Sequence, residues 1–193
     1  MKEVFEEAVS RLDNGENVVV ATVVRTKGST PQKPGAKLLV RQDGSGAGTL
    51  GGGCVEAEAW SAAKIAIDEH TPPDVQSFTL TDDIAGEDGL VCGGTMFILI
   101  DRPQEDPNFI QFTDEINQAY KGGRAVALAI MSKSGSTGGT VGSKLLVRED
   151  GTTVGSMGDP EVDKTAINPA REAMVFGRKD LITTPNGVEI YIE

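Results

Sequence analysis

Hydrophobic residues follow a helical period at the start of the chain and a strand pattern soon after. Val4, Phe5 and Ala8 recur at helical spacing, which predicts a helix over residues 2–14 that ends at Gly15. The valine-rich residues 17–24 predict a buried strand. The pattern then predicts strands at 36–41 and near Leu50, a helix over 54–69, and strands at 75–80 and 95–100.

A shift of 107 residues aligns the chain with itself without a gap. Between residues 15–51 and 122–158, 15 of 37 positions are identical, and the run Lys37–Arg41 recurs unchanged at 144–148. Such self-similarity indicates two copies of one structural unit. The second copy is therefore predicted to contain helices at 109–121 and around 160–176 and a final strand at 188–192.

These elements predict an α+β fold with an internally duplicated α-β-β-β-α-β unit, in which mixed or antiparallel sheets are flanked by helices. We predict a single domain, residues 1–193, made of two pseudo-repeats at about 1–101 and about 109–193. The copies differ around a glycine run, where Gly52-Gly53-Cys54 is replaced by Asp159-Pro160-Glu161. We infer that the first copy carries a ligand and that the second copy kept the scaffold.

The stretch 48–56 places Cys54 directly after the glycines Gly51, Gly52 and Gly53, at the start of a predicted helix. Glycines let the backbone approach a ligand closely, and the first helical turn offers unpaired N–H donors and a partial positive charge. The same donors favour a bound anion and the thiolate form of a cysteine. Cys54 is therefore the strongest candidate for a functional residue. The alternative is a small buried hydrophobe at a helix start.

Two neighbouring features have simpler explanations. Glu56 follows Val55 in the first helical turn, where acidic residues are favoured without any function. Cys92 lies between glycines and is followed by Gly93, so it belongs either to a ligand site or to a turn before a buried strand. Two cysteines without a nearby histidine make a poor zinc set, but a pair of thiols would pass sulfur, hold a soft ligand or form a disulfide.

Basic residues concentrate in the first copy, where 5 of the chain's 18 lie within 17 positions. This reversal of charge in an acidic chain indicates a phosphate or partner contact. The alternative is a solvated face, which we favour for Lys37 and Arg41 because the second copy keeps both. In the loop after Gly28, Ser29 and Thr30 would bond the backbone or a phosphate. The five basic residues are Arg25, Lys27, Lys33, Lys37 and Arg41.

Composition excludes several classes of function. The net charge of −11 argues against binding nucleic acid or an anionic membrane over the whole surface. No apolar run is long enough to span a bilayer, the first 15 residues do not form a signal peptide, and two cysteines are too few for a disulfide framework, so we expect a cytoplasmic protein.

His70, the single histidine, suits a helix end, so a Cys/His or Ser/His/Asp catalytic set is not expected. Neither a P-loop nor a dinucleotide-binding fingerprint is present.

Residues 28–37, 51–56 and 92–94 together resemble the XdhC/CoxI family, whose members are accessory proteins for molybdenum hydroxylases such as xanthine dehydrogenase and carbon monoxide dehydrogenase. The resemblance covers residues 1–101 well, and residues 109–193 are similar to the weaker second part of the family's N-terminal region. It implies a protein that binds molybdenum cofactor, helps to exchange its equatorial ligand for sulfur, and passes it to the apo-enzyme. By the same resemblance, Cys54 is the position expected to matter for cofactor binding.

The resemblance also implies partners. These are the molybdenum hydroxylase apo-enzyme, a cysteine desulfurase and a separate partner with a dinucleotide fold. The last is expected because family members usually carry a C-terminal domain of that fold, which is not found by residue 193. The alternative to that last partner is a shortened form of the family. No metal-ligand residues are predicted. The predicted cofactor-binding residues are Gly28, Ser29, Thr30, Lys33, Gly51, Gly52, Gly53, Cys54, Val55, Glu56, Cys92 and Gly93, and the candidate catalytic residues are Cys54 and Cys92.

Three hypotheses follow. The first is a non-enzymatic cofactor chaperone, in which residues 28–35 and 51–56 bind molybdenum cofactor with Cys54 against the metal or its sulfur. The second is a thiol-dependent transferase that carries a persulfide on Cys54 or Cys92. The third is a plain interaction module whose glycine loops are only turns. The sequence favours the first.

Overall fold

A computed structural model describes residues 2–80, 93–136 and 138–193. These residues fall into two compact units, which correspond to 3–104 and 105–193. Within the described residues, the first unit contains α1 (Lys2–Asp13), β1 (Val18–Lys27), β2 (Lys37–Arg41), β3 (Gly46–Gly48), α2 (Gly53–Glu69), β4 (Asp74–Thr79) and β5 (Thr95–Asp101). The second contains α3 (Phe109–Tyr120), β6 (Val126–Lys133), β7 (Lys144–Arg148), β8 (Thr153–Gly155), α4 (Pro160–Phe176), β9 (Asp180–Thr183) and β10 (Glu189–Ile192).

Each unit has one five-stranded sheet, and the strand pairings described are all antiparallel. The strand order is β3-β2-β1-β5-β4 in the first sheet and β8-β7-β6-β10-β9 in the second. The predicted α+β class is confirmed, and the two units share one order of elements and one order of strands. The structure adds one strand, β9, that the sequence did not predict in the second copy.

An alanine stripe on α2 packs against the sheet of the first unit. Alternate residues of β1, namely Val19, Ala21 and Val23, are buried in the same cluster as the stripe. Alternate residues of a strand point to the same face of the sheet, and alanines at helical spacing lie on one face of the helix, so the two apolar faces pack against each other. The second unit repeats the stripe on α4. The alanines are 59, 63 and 66 in α2, and 166, 170 and 173 in α4.

The opposite face of β2 corrects one prediction. Lys37 is only 4% exposed, its Nζ lies 3.3 Å from Thr22 Oγ1, and it sits 5.2 Å from the ring centroid of Phe5 in α1. Arg41 is half-buried and forms an ion pair of 2.9 Å with Glu7. The prediction of a solvated face is therefore wrong for Lys37, because the residues alternate along β2 and this face is covered by α1. The recurrence of both residues in the second copy follows from these packing contacts.

Among the helices of the described segments, none is both long and apolar enough to cross a bilayer.

Candidate functional site

The glycine run forms the connection between β3 and α2. Gly51, Gly52 and Gly53 have φ angles of 105°, 75° and 68°. Residues with a side chain adopt this left-handed region at a cost, whereas glycine does not. Three glycines in succession are therefore what this path of the backbone requires.

The N-terminus of α2 is open. Gly52 occupies the N-cap position without a side-chain hydrogen bond, and a Cβ built on Gly52 or Gly53 would meet none of the described atoms within 4 Å beyond its own chain neighbours and helix backbone. In the second unit the equivalent of Gly52 is Asp159, whose Oδ1 accepts a 2.8 Å hydrogen bond from the N–H of Glu161. The first turn of α4 is therefore capped by the carboxylate of its N-cap residue, whereas the N-cap residue of α2 supplies no side-chain acceptor.

Cys54 lies in the first turn of α2 and is half-buried. Its thiol is thus not enclosed in the core, as the alternative of a small buried hydrophobe requires. The next residue, Val55, is 3% exposed and belongs to the core cluster, so its side chain fixes the helix start to the sheet.

Glu56 holds the glycine run in place through one carboxylate oxygen. Its Oε2 accepts hydrogen bonds from Thr49 Oγ1 (2.6 Å), the N–H of Leu50 (2.7 Å) and the N–H of Gly52 (3.1 Å). Thr49 Oγ1 in turn accepts a 3.0 Å hydrogen bond from the N–H of Gly51. Burial acts to raise the pKa of Glu56, but these hydrogen bonds outweigh it and hold the pKa below its usual value.

The second unit contains a similar arrangement, in which the carboxylate accepts two of the three hydrogen bonds; we call it the carboxylate clamp in both units. Asp163 accepts hydrogen bonds of 2.7 Å from Ser156 Oγ and from the N–H of Met157. Ser156 Oγ accepts a 3.0 Å hydrogen bond from the N–H of Gly158. Each of these residues lies 107 positions after its counterpart in the first unit. The clamp is therefore part of the shared scaffold, and the open helix start is what distinguishes the first unit.

The loop 28–35 contacts both of the other predicted motifs, the glycine run at 51–53 and the glycines at 93 and 94. A Cβ on Gly51 would lie 2.7 Å from Pro31 Cβ, and a Cβ on Gly28 would lie 3.1 Å from the carbonyl oxygen of Gly93. Gly94 packs against the carbonyl oxygen of Ser29 and the methyl group of Thr30. Such contacts leave no room for side chains at the glycines. The loop therefore lies against both the glycine run and the segment that follows Cys92.

The loop's polar groups are only partly engaged with the protein. Thr30 Oγ1 donates a 2.9 Å hydrogen bond to the carbonyl of Gln32, which closes a local turn. Ser29, Lys33 and Lys27 are exposed. Arg25 instead lies 3.8 Å from the ring centroid of Phe97, so its guanidinium is stacked within the first unit.

Cys92 lies outside the described residues. Its separation from Cys54 and the alternative of a disulfide between them therefore stay predictions.

His70 lies at the opposite end of α2. It caps the helix in a left-handed conformation, and its Nδ1 is 2.8 Å from the carbonyl oxygen of Ile67. At about 1.5 Å per residue, the 17-residue helix keeps the only imidazole of the chain roughly 25 Å from Cys54. Cys54 and His70 therefore do not form a pair, and in the described part of the chain no three His, Cys, Asp or Glu side chains cluster as a metal site would require.

Thr49 and Pro31 belong to this region but were not named individually among the predicted cofactor-binding residues. A signal for Thr49 was present, because a hydroxyl and an acid seven positions apart occur in both copies, as Thr49 with Glu56 and as Ser156 with Asp163. The contact of Pro31 with Gly51 carries no such local signal, since it depends on how the loop folds over the run.

Comparison with curated proteins gives two relatives whose names describe a role. A Bacillus subtilis (strain 168) protein, named as a probable xanthine dehydrogenase subunit, is 28% identical over 127 residues, which are 64% of this chain and 37% of that protein. The Escherichia coli (strain K12) protein named "Molybdenum cofactor insertion chaperone PaoD" is 42% identical over 52 residues, 27% of this chain and 16% of its own length. The chain thus spans well under half of these relatives.

The fold has a solved counterpart. The crystal structure of a xanthine dehydrogenase from Bacillus halodurans matches 98% of this chain and 51% of its own chain with a TM-score of 0.65 at 21% identity, a likeness that shows the fold. The model of the XdhC and CoxI family matches residues 11–79 and 119–184, one segment in each unit and more than half of the chain. The chain therefore belongs to the XdhC and CoxI family.

Proposed function

We propose that this protein is an accessory chaperone that binds molybdenum cofactor and assists its sulfuration and its insertion into a molybdenum hydroxylase of the xanthine dehydrogenase or carbon monoxide dehydrogenase type. Membership of the XdhC and CoxI family supports this role, as does the name of a relative, a molybdenum cofactor insertion chaperone. The observation that supports a cofactor site at particular residues is the uncapped start of α2, where a half-buried cysteine follows three glycines.

The chemistry of the cofactor suits the groups present. Its pterin bears a phosphate, and the uncapped first turn of α2 offers N–H donors and a partial positive charge to an anion. Its molybdenum is bound by sulfur, and a thiol such as that of Cys54 is a soft ligand for it. Open space beside Gly52 and Gly53 lets the backbone approach a bulky ligand.

The loop 28–35 supplies the other wall of the proposed site. It packs on Gly51 at one end and on Gly93 and Gly94 at the other, so it borders both glycine segments. The exposed Ser29 and Lys33 give this wall a hydroxyl and a positive charge in a chain of net charge −11. We assign these residues, with Gly28 and Thr30, to contacts with the polar groups of the cofactor.

The second unit provides scaffold without a second site. Asp159 already occupies the start of α4, and Pro160 has no backbone N–H to donate. The proposal therefore includes a stoichiometry of one cofactor per chain. The proposed partners are the apo-hydroxylase that receives the cofactor and a cysteine desulfurase as the source of sulfur.

The test is transfer. The purified chain is loaded with molybdenum cofactor, separated from free cofactor, and mixed with an apo-hydroxylase of the xanthine dehydrogenase type. We expect hydroxylase activity to appear, and to exceed that obtained with the same quantity of cofactor and no chain. Equal activation with and without the chain would contradict the proposed insertion role.

Sulfuration is tested separately with a cysteine desulfurase and cysteine. If the chain is a chaperone that presents the cofactor, the sulfur is added to the cofactor. If it is a transferase, Cys54 or Cys92 gains the mass of one sulfur atom even when no cofactor is present. Peptide mass spectrometry of the chain before and after the reaction distinguishes the two.

A further inference from the structure

We propose that Glu56 is a positioning residue for the cofactor site: its carboxylate fixes the glycine run so that the backbone N–H groups at the start of α2 face the ligand, and it does not contact the ligand itself. This inference rests on the proposed function, which supplies the ligand. Its evidence is the carboxylate clamp and the copy of that clamp in the second unit.

The clamp satisfies the donors of the run before the helix. Glu56 Oε2 accepts from the N–H groups of Leu50 and Gly52, and Thr49 Oγ1 accepts from that of Gly51. The next donors along the chain are those of Gly53 and Cys54, in the first turn of α2, where the N-cap residue Gly52 supplies no side-chain acceptor. In a first turn such N–H groups have no partner within the helix. The N–H groups before Gly53 are therefore bonded within the protein by the clamp, and those of Gly53 and Cys54 are left for the ligand.

A contact between Glu56 and the cofactor phosphate is unfavourable. An ionised carboxylate is only an acceptor and repels another anion. Hydrogen bonds within the clamp keep Glu56 ionised, since they hold its pKa below the usual value against the opposing effect of burial. Its charge is spread over three donors, Thr49, Leu50 and Gly52, which reduces the repulsion felt at the start of α2.

Comparison with the second unit distinguishes a positioning role of the clamp from a contribution to stability alone. Asp163 and Ser156 form an equivalent clamp, but Asp159 caps the following helix and no cysteine is present there. Loss of either clamp is expected to destabilise the chain by a similar amount. Only loss of the first clamp is expected to affect the ligand and the thiol.

The test compares two matched pairs of variants. Glu56→Gln and Thr49→Val weaken the first clamp, and Asp163→Asn and Ser156→Ala weaken the second; Thr49→Val and Ser156→Ala do so without changing charge. Bound molybdenum cofactor is quantified by pterin fluorescence, alkylation of Cys54 by iodoacetamide is followed by peptide mass spectrometry, and stability is measured by urea unfolding. We expect both first-unit variants to bind cofactor at least about tenfold more weakly. We also expect the alkylation rate of Cys54 to change by at least about threefold in them, because the clamp fixes both the exposure of the half-buried thiol and the backbone donors that favour its thiolate.

The second-unit variants are expected to retain the wild-type values for both cofactor binding and alkylation, even where they unfold at equally low urea. Equal losses in all four variants, or wild-type binding and alkylation in Glu56→Gln and Thr49→Val, would overturn the positioning role. If the wild-type chain binds no cofactor, the proposed function fails, and the alkylation rates alone still decide whether the clamp controls the region of Cys54.

Discussion

Gly51 touches Pro31, from which it is separated by 20 positions in the chain: a Cβ added to Gly51 would lie 2.7 Å from Pro31 Cβ and 3.2 Å from Gln32 Cγ. The contact connects the loop 28–35 to the glycine run without any hydrogen bond between side chains. Small size at Gly51 therefore matters for two reasons, the left-handed backbone and the close approach of the loop.

Substitution of Gly51 by alanine is expected to be more destabilising than the same change at Gly52. Both positions have positive φ angles, which cost an alanine about 1–3 kcal/mol. Gly51→Ala adds a steric conflict with Pro31 worth about 1–3 kcal/mol more, whereas a Cβ at Gly52 enters open space. Urea unfolding of the two variants measures the difference. Equal free energies of unfolding would show that the contact between the loop and the run does not contribute to stability.

The two helix starts differ in their caps, which gives a second prediction. Asp159→Ala removes the hydrogen bond to the N–H of Glu161 and is expected to lower the free energy of unfolding by about 1 kcal/mol. It is expected to leave cofactor binding unchanged, because the proposed site lies in the first unit. A loss of cofactor binding in Asp159→Ala, without general unfolding, would contradict the division of roles between the units.

Acid is expected to remove the stabilisation that Glu56 provides. Burial raises its pKa, but hydrogen bonds from Thr49, Leu50 and Gly52 lower the pKa by more, so it is lower in the folded chain than in the unfolded chain. The contribution is therefore complete above the unfolded value of about 4.3 and is lost as the pH falls through the folded pKa.

The wild-type chain should consequently lose more stability than Glu56→Gln between neutral pH and about pH 3. Urea unfolding of both proteins at several pH values checks this. Parallel stability curves for the two proteins would show that the clamp carboxylate has the same pKa in the folded and unfolded chains.

Local pattern was sufficient to predict most elements of the fold. The valine-rich residues 17–24 and the helix predicted over 54–69 correspond to β1 and α2 because each pattern is a property of consecutive residues. The strand β9 was missed because its four residues, Asp180–Thr183, are half-buried or exposed and show no buried period of two. The order β3-β2-β1-β5-β4 was not predictable, since it depends on pairings between distant strands.

The candidate site was predicted less completely than the fold. The glycine run and Cys54 were found because glycine and cysteine carry specific chemistry wherever they occur. The role of Glu56 was not, because an acid in the first turn of a helix is favoured by the helix dipole alone, and its three donors become visible only when the run folds back over it. Lys37 was misplaced for a related reason: the helix that covers it precedes it by more than 20 residues.

Cofactor binding by Cys54→Ser compared with the wild-type chain is the most direct test of the central claim, that the sulfur at the start of α2 holds molybdenum cofactor. Because Cys54 is only half-buried, the change of sulfur to oxygen should leave urea unfolding close to wild type, so that binding is measured on a folded protein. We expect about one cofactor bound per wild-type chain and an affinity at least about tenfold weaker in Cys54→Ser. Wild-type affinity in the folded Cys54→Ser variant would contradict this claim.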